Sequence, residues 1–207
     1  MSGRMTIFQP EENPNQLGPH DHVDFQTTKG TTIRFTDPRK FGLLLIVKAN
    51  SISQHRLFKF LGPEPLEDSF NPKWLANWLK DRRTPIKTIL LDQKAVAGLG
   101  NIYACESLFR ASISPRRLAG NVVGVKLERL VTSIKEVLTE AIEAGGSTLK
   151  DHIGPTGDLG YFQNKFRVYG REGKPCFECN CDWELFGGVR RIKQSGRSSY
   201  YCSNKQR

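Results

Sequence analysis

Four of the five cysteines, Cys176, Cys179, Cys181 and Cys202, fall within the last 32 residues, with Cys105 standing apart. Such a cluster closes a small, loop-rich region around a metal or disulfides, and so limits what the tail can fold into. No secretory apolar segment opens the chain. The longest apolar run, Leu43-Leu44-Leu45-Ile46-Val47, is far short of the ~20 residues that span a bilayer. Metal ligation in a reducing cytoplasm is therefore expected. Cys176-Phe177-Glu178-Cys179 has the spacing of one zinc-ribbon knuckle, two thiolates from one turn. The opposite knuckle reads Cys202-Ser203-Asn204-Lys205, and an ammonium is no zinc ligand. Cys176, Cys179 and Cys202 are the expected zinc ligands, and Cys181 is the candidate for the fourth. The competing reading is a metal-free hairpin held by Phe177, Tyr200 and Tyr201.

The same region is basic. Arg190, Arg191, Lys193, Arg197 and Lys205 decorate two short strands, Val189–Ile192 and Ser198–Tyr201, turned at Gly196. Over the whole chain 31 Lys and Arg face 21 Asp and Glu, a net charge of +10. That imbalance argues for a polyanionic partner, and an arginine at a hairpin tip suits a phosphate or a groove. A solvated basic face is the plainer alternative.

Upstream the chain reads as α+β. Val23 and Phe25, then Ile33 and Phe35, alternate with polar residues as strands do, and Leu43–Val47 reads as a strand buried on both faces. Three or four strands in residues 1–60 are few for a free-standing sheet, so its apolar face is expected to lack a second layer. Asn71 and Pro72 have the form of an N-cap and first helical residue, ahead of Trp74, Leu75, Trp78 and Leu79. A short helix is expected over Ile86–Asp92 and another from Asn101, carrying Ile102, Leu108 and Phe109 inward. Leu127, Leu130, Val131, Ile134, Val137, Leu138 and Ala141 make a strong amphipathic helix that Gly145-Gly146 ends.

Two loops carry chemistry. Gly98-Leu99-Gly100-Asn101 enters a helix through a glycine turn, where backbone N–H groups and the positive helix end suit a phosphate. An ordinary turn fits the spacing equally well. Thr36-Asp37-Pro38-Arg39-Lys40-Phe41-Gly42 presents an arginine and an aromatic at a rigid turn, a pair suited to filling a gap in a base stack.

Taken in order, several runs resemble the bacterial formamidopyrimidine-DNA glycosylase family. They are Met1-Ser2-Gly3-Arg4, His20-Asp21-His22-Val23-Asp24, the Asp37–Gly42 run, Leu61-Gly62-Pro63-Glu64-Pro65-Leu66, Thr84-Pro85-Ile86-Lys87-Thr88, Leu91 through Tyr103, Leu159-Gly160-Tyr161-Phe162, Val168-Tyr169-Gly170-Arg171 and Gln194-Ser195-Gly196-Arg197. The resemblance implies a partial N-terminal β-sandwich (1–62), a helix–two-turn–helix DNA-binding domain (70–156) and a lesion loop with a zinc-ribbon-type β-hairpin (157–207). It implies a cytoplasmic, nucleoid-associated monomer with no membrane partner. That monomer acts in base-excision repair on double-stranded DNA carrying oxidised purines, such as 8-oxoguanine and formamidopyrimidines, or abasic sites.

By match, Met1, Arg39 and Phe41 intercalate where the everted nucleotide stood. Gly100, Asn101 and Arg197 hold phosphates, and His20 and Lys40 are further DNA contacts. Lys87 lies near the lesion pocket, and Tyr161 belongs to a loop, Gly157–Phe162, that closes over the flipped base. The family opens with Pro-Glu, whose proline amine attacks the sugar and leads to β,δ-elimination. No Pro-Glu opens this sequence, so the chain as written is expected to lack the catalytic nucleophile; the Met1 amine falls at the wedge by match, and Lys87 is the candidate substitute nucleophile. The alternatives are a non-catalytic zinc-ribbon DNA-binding module, and a zinc ribbon that binds RNA or another protein.

Overall fold

The computed structural model describes residues 3–12, 14, 16–148, 160–179 and 182–207. The chain forms two compact units, Met1–Lys48 with Ala141–Lys165, and Ala49–Glu140 with Phe166–Arg207. They divide the chain differently from the linear spans 1–62, 70–156 and 157–207.

The first unit holds a three-stranded antiparallel sheet in the order β1-β3-β2, with β1 Arg4–Phe8, β2 Asp21–Gln26 and β3 Thr32–Thr36. The strand β1 is an addition to the sequence reading, although Met5 and Ile7 alternate with polar neighbours. The alternation on β3 also has its faces reversed. Thr32, Arg34 and Thr36 are the buried residues, and Ile33 and Phe35 are half-buried. The cause is ionic. Arg34 sits opposite Asp24 in the ladder and grips it with two bonds, Nε to Oδ1 at 2.9 Å and Nη2 to Oδ2 at 2.8 Å. It also reaches Asp21 at 3.4 Å, and its guanidinium stacks on the Phe8 ring. A paired, stacked arginine tolerates this burial. On the other face Met5 and Phe25 are exposed, and Val23, Ile33 and Phe35 are half-buried.

Leu43–Val47 is not a strand. It runs unpaired, with Ile46 102% exposed. An apolar run of five residues has strand length, but a strand also needs a neighbour for its N–H and C=O groups, and none of the described strands lies beside it.

The second unit is mainly helical. Helix α1, Pro72–Leu79, starts as its sequence dictates, with Asn71 Oδ1 accepting from the Trp74 amide at 3.0 Å and Pro72 at its first position. Helix α2 is Ile86–Leu90, shorter than expected, and α3 is Asn101–Arg110. Helix α4, Val125–Glu143, begins in this unit, and its last turn belongs to the first. It ends at Gly145 and Gly146, both with positive φ, where the Gly146 amide donates to Ala141 O at 2.7 Å. The core joins Phe70, Leu75, Leu79, Ile86, Leu90 and Leu99 to Leu108, Ile113, Leu130 and Ile134. Each such side chain contributes about 1.5–3 kcal/mol by leaving water. Ile102 is only half-buried.

A short helix α5, Trp183–Phe186, is capped by Asp182, whose Oδ1 accepts from the amides of Glu184 and Leu185, each at 3.1 Å. The chain then forms a hairpin from β4, Arg190–Gln194, and β5, Arg197–Tyr201. Ser195 and Gly196 both have positive φ, the two-residue turn that matches strand twist. No helix among the described residues is long and apolar enough to cross a membrane.

Candidate nucleic-acid interface and cysteine cluster

The turn into α3 is built by one glutamine. Gln93 Oε1 accepts from the Gly98 amide at 2.8 Å, and its Nε2 reaches Leu99 O at 3.4 Å. Gly98 has φ of +73°, which only glycine adopts without strain. A Cβ on Gly98 or Gly100 would meet nothing within 4 Å, so the space over the turn is open. Gly100 caps α3 in extended conformation, leaving the first-turn amides of the helix without helical partners.

Asn101, the first residue of α3, points its amide inward. Nδ2 donates to Ser198 O at 3.0 Å and to the Tyr169 hydroxyl at 3.4 Å. Its Oδ1 is buried without a partner. The side chain thus holds the hairpin, where the sequence reading had it as a free donor. Lys87 holds the same strand. Its Nζ donates to Ser198 O at 2.9 Å and to Ser199 Oγ at 2.6 Å, with the residue 1% exposed. Burial lowers the Lys87 pKa from its ordinary value, partly offset by the neighbouring Cys105 thiol, which burial in turn pushes up. Lys87, expected near the lesion pocket, thus braces β5 with its ammonium held by its own protein. Thr88 Oγ1 lies 3.3 Å from Ser195 Oγ, and Gln194 Nε2 donates to Pro115 O at 3.1 Å. These bonds fix the hairpin tip, and Arg197, exposed and next after the turn, is presented from a rigid base.

Glu106, on the same helix, is buried and accepts from the amides of Arg167, Val168 and Tyr169 at 2.9, 3.1 and 2.8 Å. It anchors the segment that brings Tyr169 to Asn101 and, edge-on at 5.0 Å, to Tyr200. Sequence reasoning passed over it, because a carboxylate in a helix reads as a surface residue.

In the first unit, Asp37 organises the loop of Arg39, Lys40 and Phe41. Its oxygens accept from the amides of Arg39 at 3.3 Å and Gly42 at 2.6 Å. A Cβ on Gly42 would lie 2.6 Å from Phe35 Cζ and 2.9 Å from Asp37 Oδ2, so a side chain there would have to displace that ring and carboxylate. Phe41 is 72% exposed, with the Arg39 guanidinium 5.4 Å from its ring centroid, and Lys40 is exposed at φ +55°. His20 is exposed in the turn before β2. Tyr161 is 62% exposed, its amide donating to Ala144 O at 2.9 Å. Thr148 Oγ1 accepts from the Gly160 amide at 2.7 Å. Met1 and Gly157 lie outside the described residues.

The sulfurs of Cys176, Cys179 and Cys202 all lie within 4.8 Å of one another, with Cys179 and Cys202 at 3.4 Å. A tetrahedral zinc with bonds of about 2.3 Å sets its sulfurs about 3.8 Å apart, so the three fit one ion. Burial pushes the Cys176 thiol up to about 12, and neighbouring thiols add to the shift. The site therefore needs protons or a cation. The Lys205 amide donates to Cys202 Sγ at 3.5 Å as in a metal knuckle, while its ammonium turns away to Glu178 and the Phe109 ring. Cys181 lies outside the described residues.

Comparison with known proteins agrees with this architecture. The formamidopyrimidine-DNA glycosylase N-terminal domain matches residues 1–44, and the formamidopyrimidine-DNA glycosylase H2TH domain matches residues 61–152. A formamidopyrimidine-DNA glycosylase of Ruegeria pomeroyi is 50% identical over 212 residues, covering 100% of this chain and 74% of that protein. The MutM (Fpg) protein of Thermus thermophilus superposes with a TM-score of 0.84 at 38% identity, over 100% of this chain and 73% of that one. Lactococcus lactis Fpg, in complex with DNA containing an abasic site, gives 0.86 at 31% identity, over 100% and 72%. A mixed fold with a basic hairpin docked on a glycine-entered helix, beside three clustered thiols, defines a DNA-glycosylase type of chain. The chain belongs to the formamidopyrimidine-DNA glycosylase family.

Proposed function

We propose that the chain works in base-excision repair as a damaged-DNA glycosylase of its family, and that the residues described above supply the grip on the duplex. The observation that carries this reading is the junction of Asn101 and Lys87 on Ser198, the residue that follows the exposed Arg197. The helix entry through Gly100, its positive end and a guanidinium are three attractions for the same backbone phosphates. Gly100 leaves room for a phosphate to approach. Arg39 and Phe41 act as the wedge that fills the stack, with Lys40, His20 and Tyr161 as further contacts. The substrate class is duplex DNA with oxidised purines or abasic sites, in line with the Fapy-dG, abasic and 8-oxo-G complexes of the neighbours.

Zinc is the metal assigned to Cys176, Cys179 and Cys202. It would tie the two knuckles together and stiffen the base of the hairpin, a structural service with no part in the chemistry.

A second reading, binding without excision, is favoured by one observation. Lys87 has its ammonium enclosed by Ser198 and Ser199 and offers no free amine for attack on a sugar carbon. Borohydride reduction of the chain on abasic-site duplex separates the two. A covalent adduct supports the glycosylase, and salt-sensitive binding without an adduct supports the second reading. Affinity that ignores both salt and damage overturns both.

A further inference from the structure

The two knuckles of the cysteine cluster, Cys176–Cys179 and Cys202–Lys205, differ in their last residue, a cysteine in one and a lysine in the other. The lysine makes bonds of its own. Its ammonium pairs with Glu178, which lies between the two cysteines of the opposite knuckle, and sits 4.2 Å from the centroid of the Phe109 ring on α3. One side chain therefore joins both knuckles to each other and to a buried ring of the helix. Glu178 also pairs with Arg167 at 3.4 Å, and the Arg167 amide is held in turn by Glu106. An isolated surface ion pair contributes little, but this pair belongs to a network, and its lysine side chain is only 16% exposed.

Protein groups also close the turn of the second knuckle. The buried Gln206 accepts at Oε1 from the Cys202 amide at 2.8 Å, and its own amide donates to Cys202 O at 2.9 Å. Its Nε2 donates to Ile113 O at 2.9 Å, which pins the turn to the helical core. Ahead of the first knuckle, the Gly173 amide donates to Val189 O and the Val189 amide to Lys174 O, each at 2.9 Å. Each knuckle thus has its own anchor, and the Lys205–Glu178 pair links one to the other. In a zinc finger whose ligands are held by nothing else, metal binding and folding are one event. Here main-chain and side-chain bonds fix both turns that carry the three thiols.

We infer that Lys205 is a clasp between the knuckles, which does at its position what a thiolate bound to the metal would do, so that the base of the hairpin stays closed whether or not the metal is bound. Zinc then adds stability to a hairpin that is already formed. The inference rests on the reading of Cys176, Cys179 and Cys202 as the metal site.

The test is amide hydrogen exchange at β5 in the full-length parent, Lys205→Met and Lys205→Arg chains, each loaded with zinc and again after chelation. Methionine keeps an apolar stem against Phe109 and removes the charge. The parent is expected to keep its β5 protection after chelation. Lys205→Met is expected to match the parent with zinc and, without it, to exchange at least about tenfold faster, the loss of one charge-assisted bond. Lys205→Arg is expected to follow the parent in both states. A parent whose β5 protection collapses on chelation overturns the clasp, and so does a metal-free Lys205→Met chain that exchanges like the parent. Equally fast exchange in Lys205→Met with and without zinc makes Lys205 an ordinary structural pair and overturns its stand-in role. Glu178→Gln removes the same pair from the opposite knuckle, and it decides by the same outcomes if Lys205→Met does not fold. The metal reading fails separately. A parent chain that neither contains nor takes up zinc overturns that reading, while the metal-free comparison of parent and variant still decides the clasp.

Discussion

Asn101, at the start of α3, donates its side-chain amide to the main-chain oxygen of Ser198 at 3.0 Å, joining residues 97 apart in sequence. The bond makes the helix entry and the basic hairpin one surface. Replacing Asn101 with alanine removes a neutral hydrogen bond, a loss of about 1 kcal/mol, or about fivefold in affinity for abasic-analogue duplex. The salt slope is expected to stay the same, because no charge is lost. Fluorescence anisotropy over a salt series checks both, and a changed slope contradicts the positioning role.

Lys87→Met is expected to loosen the hairpin. It removes two charge-assisted bonds, to Ser198 O and Ser199 Oγ, and leaves the hydroxyl in a dry place. The cost is about 1.5–3 kcal/mol per bond to a charged group. Hydrogen exchange should quicken at the amides of β5 while those of α4 keep their protection. Equal exchange in both strands of the parent and variant hairpins would remove Lys87 as the strut.

Much of this was readable in advance, for local reasons. The Asn71–Pro72 start, the Gly145-Gly146 stop and the heptad-like spacing of α4 are decided by backbone geometry and one apolar stripe, both written in neighbouring residues. The hairpin turn at Ser195-Gly196 is likewise local. Leu43–Val47 misled because pairing is not a local property. Arg34 and Lys87 misled for another reason. Each is buried only because partners distant in sequence, Asp24 at the next strand and Ser198 on the hairpin, neutralise or bond its charge. The direction of the Asn101 amide follows from the same long-range docking. The Gly98–Asn101 turn, by contrast, keeps the open space that its glycines promised.

Metal analysis tests the cysteine cluster. The purified chain should carry about one zinc per molecule, and Cys202→Ser should lose it, because a structural zinc takes four ligands and Cys202 is one of the three clustered thiols. Chelation should lower the melting temperature of the parent and leave that variant unmoved. Cys181→Ser separates the candidates for the fourth position: full zinc in that variant removes Cys181 as a ligand.

Acid stability tests the sheet. The Thr36 hydroxyl, with the Gly18 amide and the Arg34 guanidinium, holds the Asp21 carboxyl below its ordinary 3.8 against the opposing effect of burial. A depressed carboxyl contributes stability that is present above 3.8 and lost as pH falls through the folded value. Asp21→Asn should therefore flatten the fall in melting temperature from pH 5 to about 2. Parallel curves for the two chains would show that Asp21 titrates alike folded and unfolded.

Arg197, a phosphate contact presented by a docked hairpin, is the centre of the proposed grip. Its most direct measurement is the affinity of the parent and Arg197→Ala chains for one abasic-analogue duplex across a salt series. The expected result is weaker binding by the variant at every salt concentration, with the log–log slope reduced by about 0.9, one phosphate fewer. Superimposable lines for the two chains would contradict it.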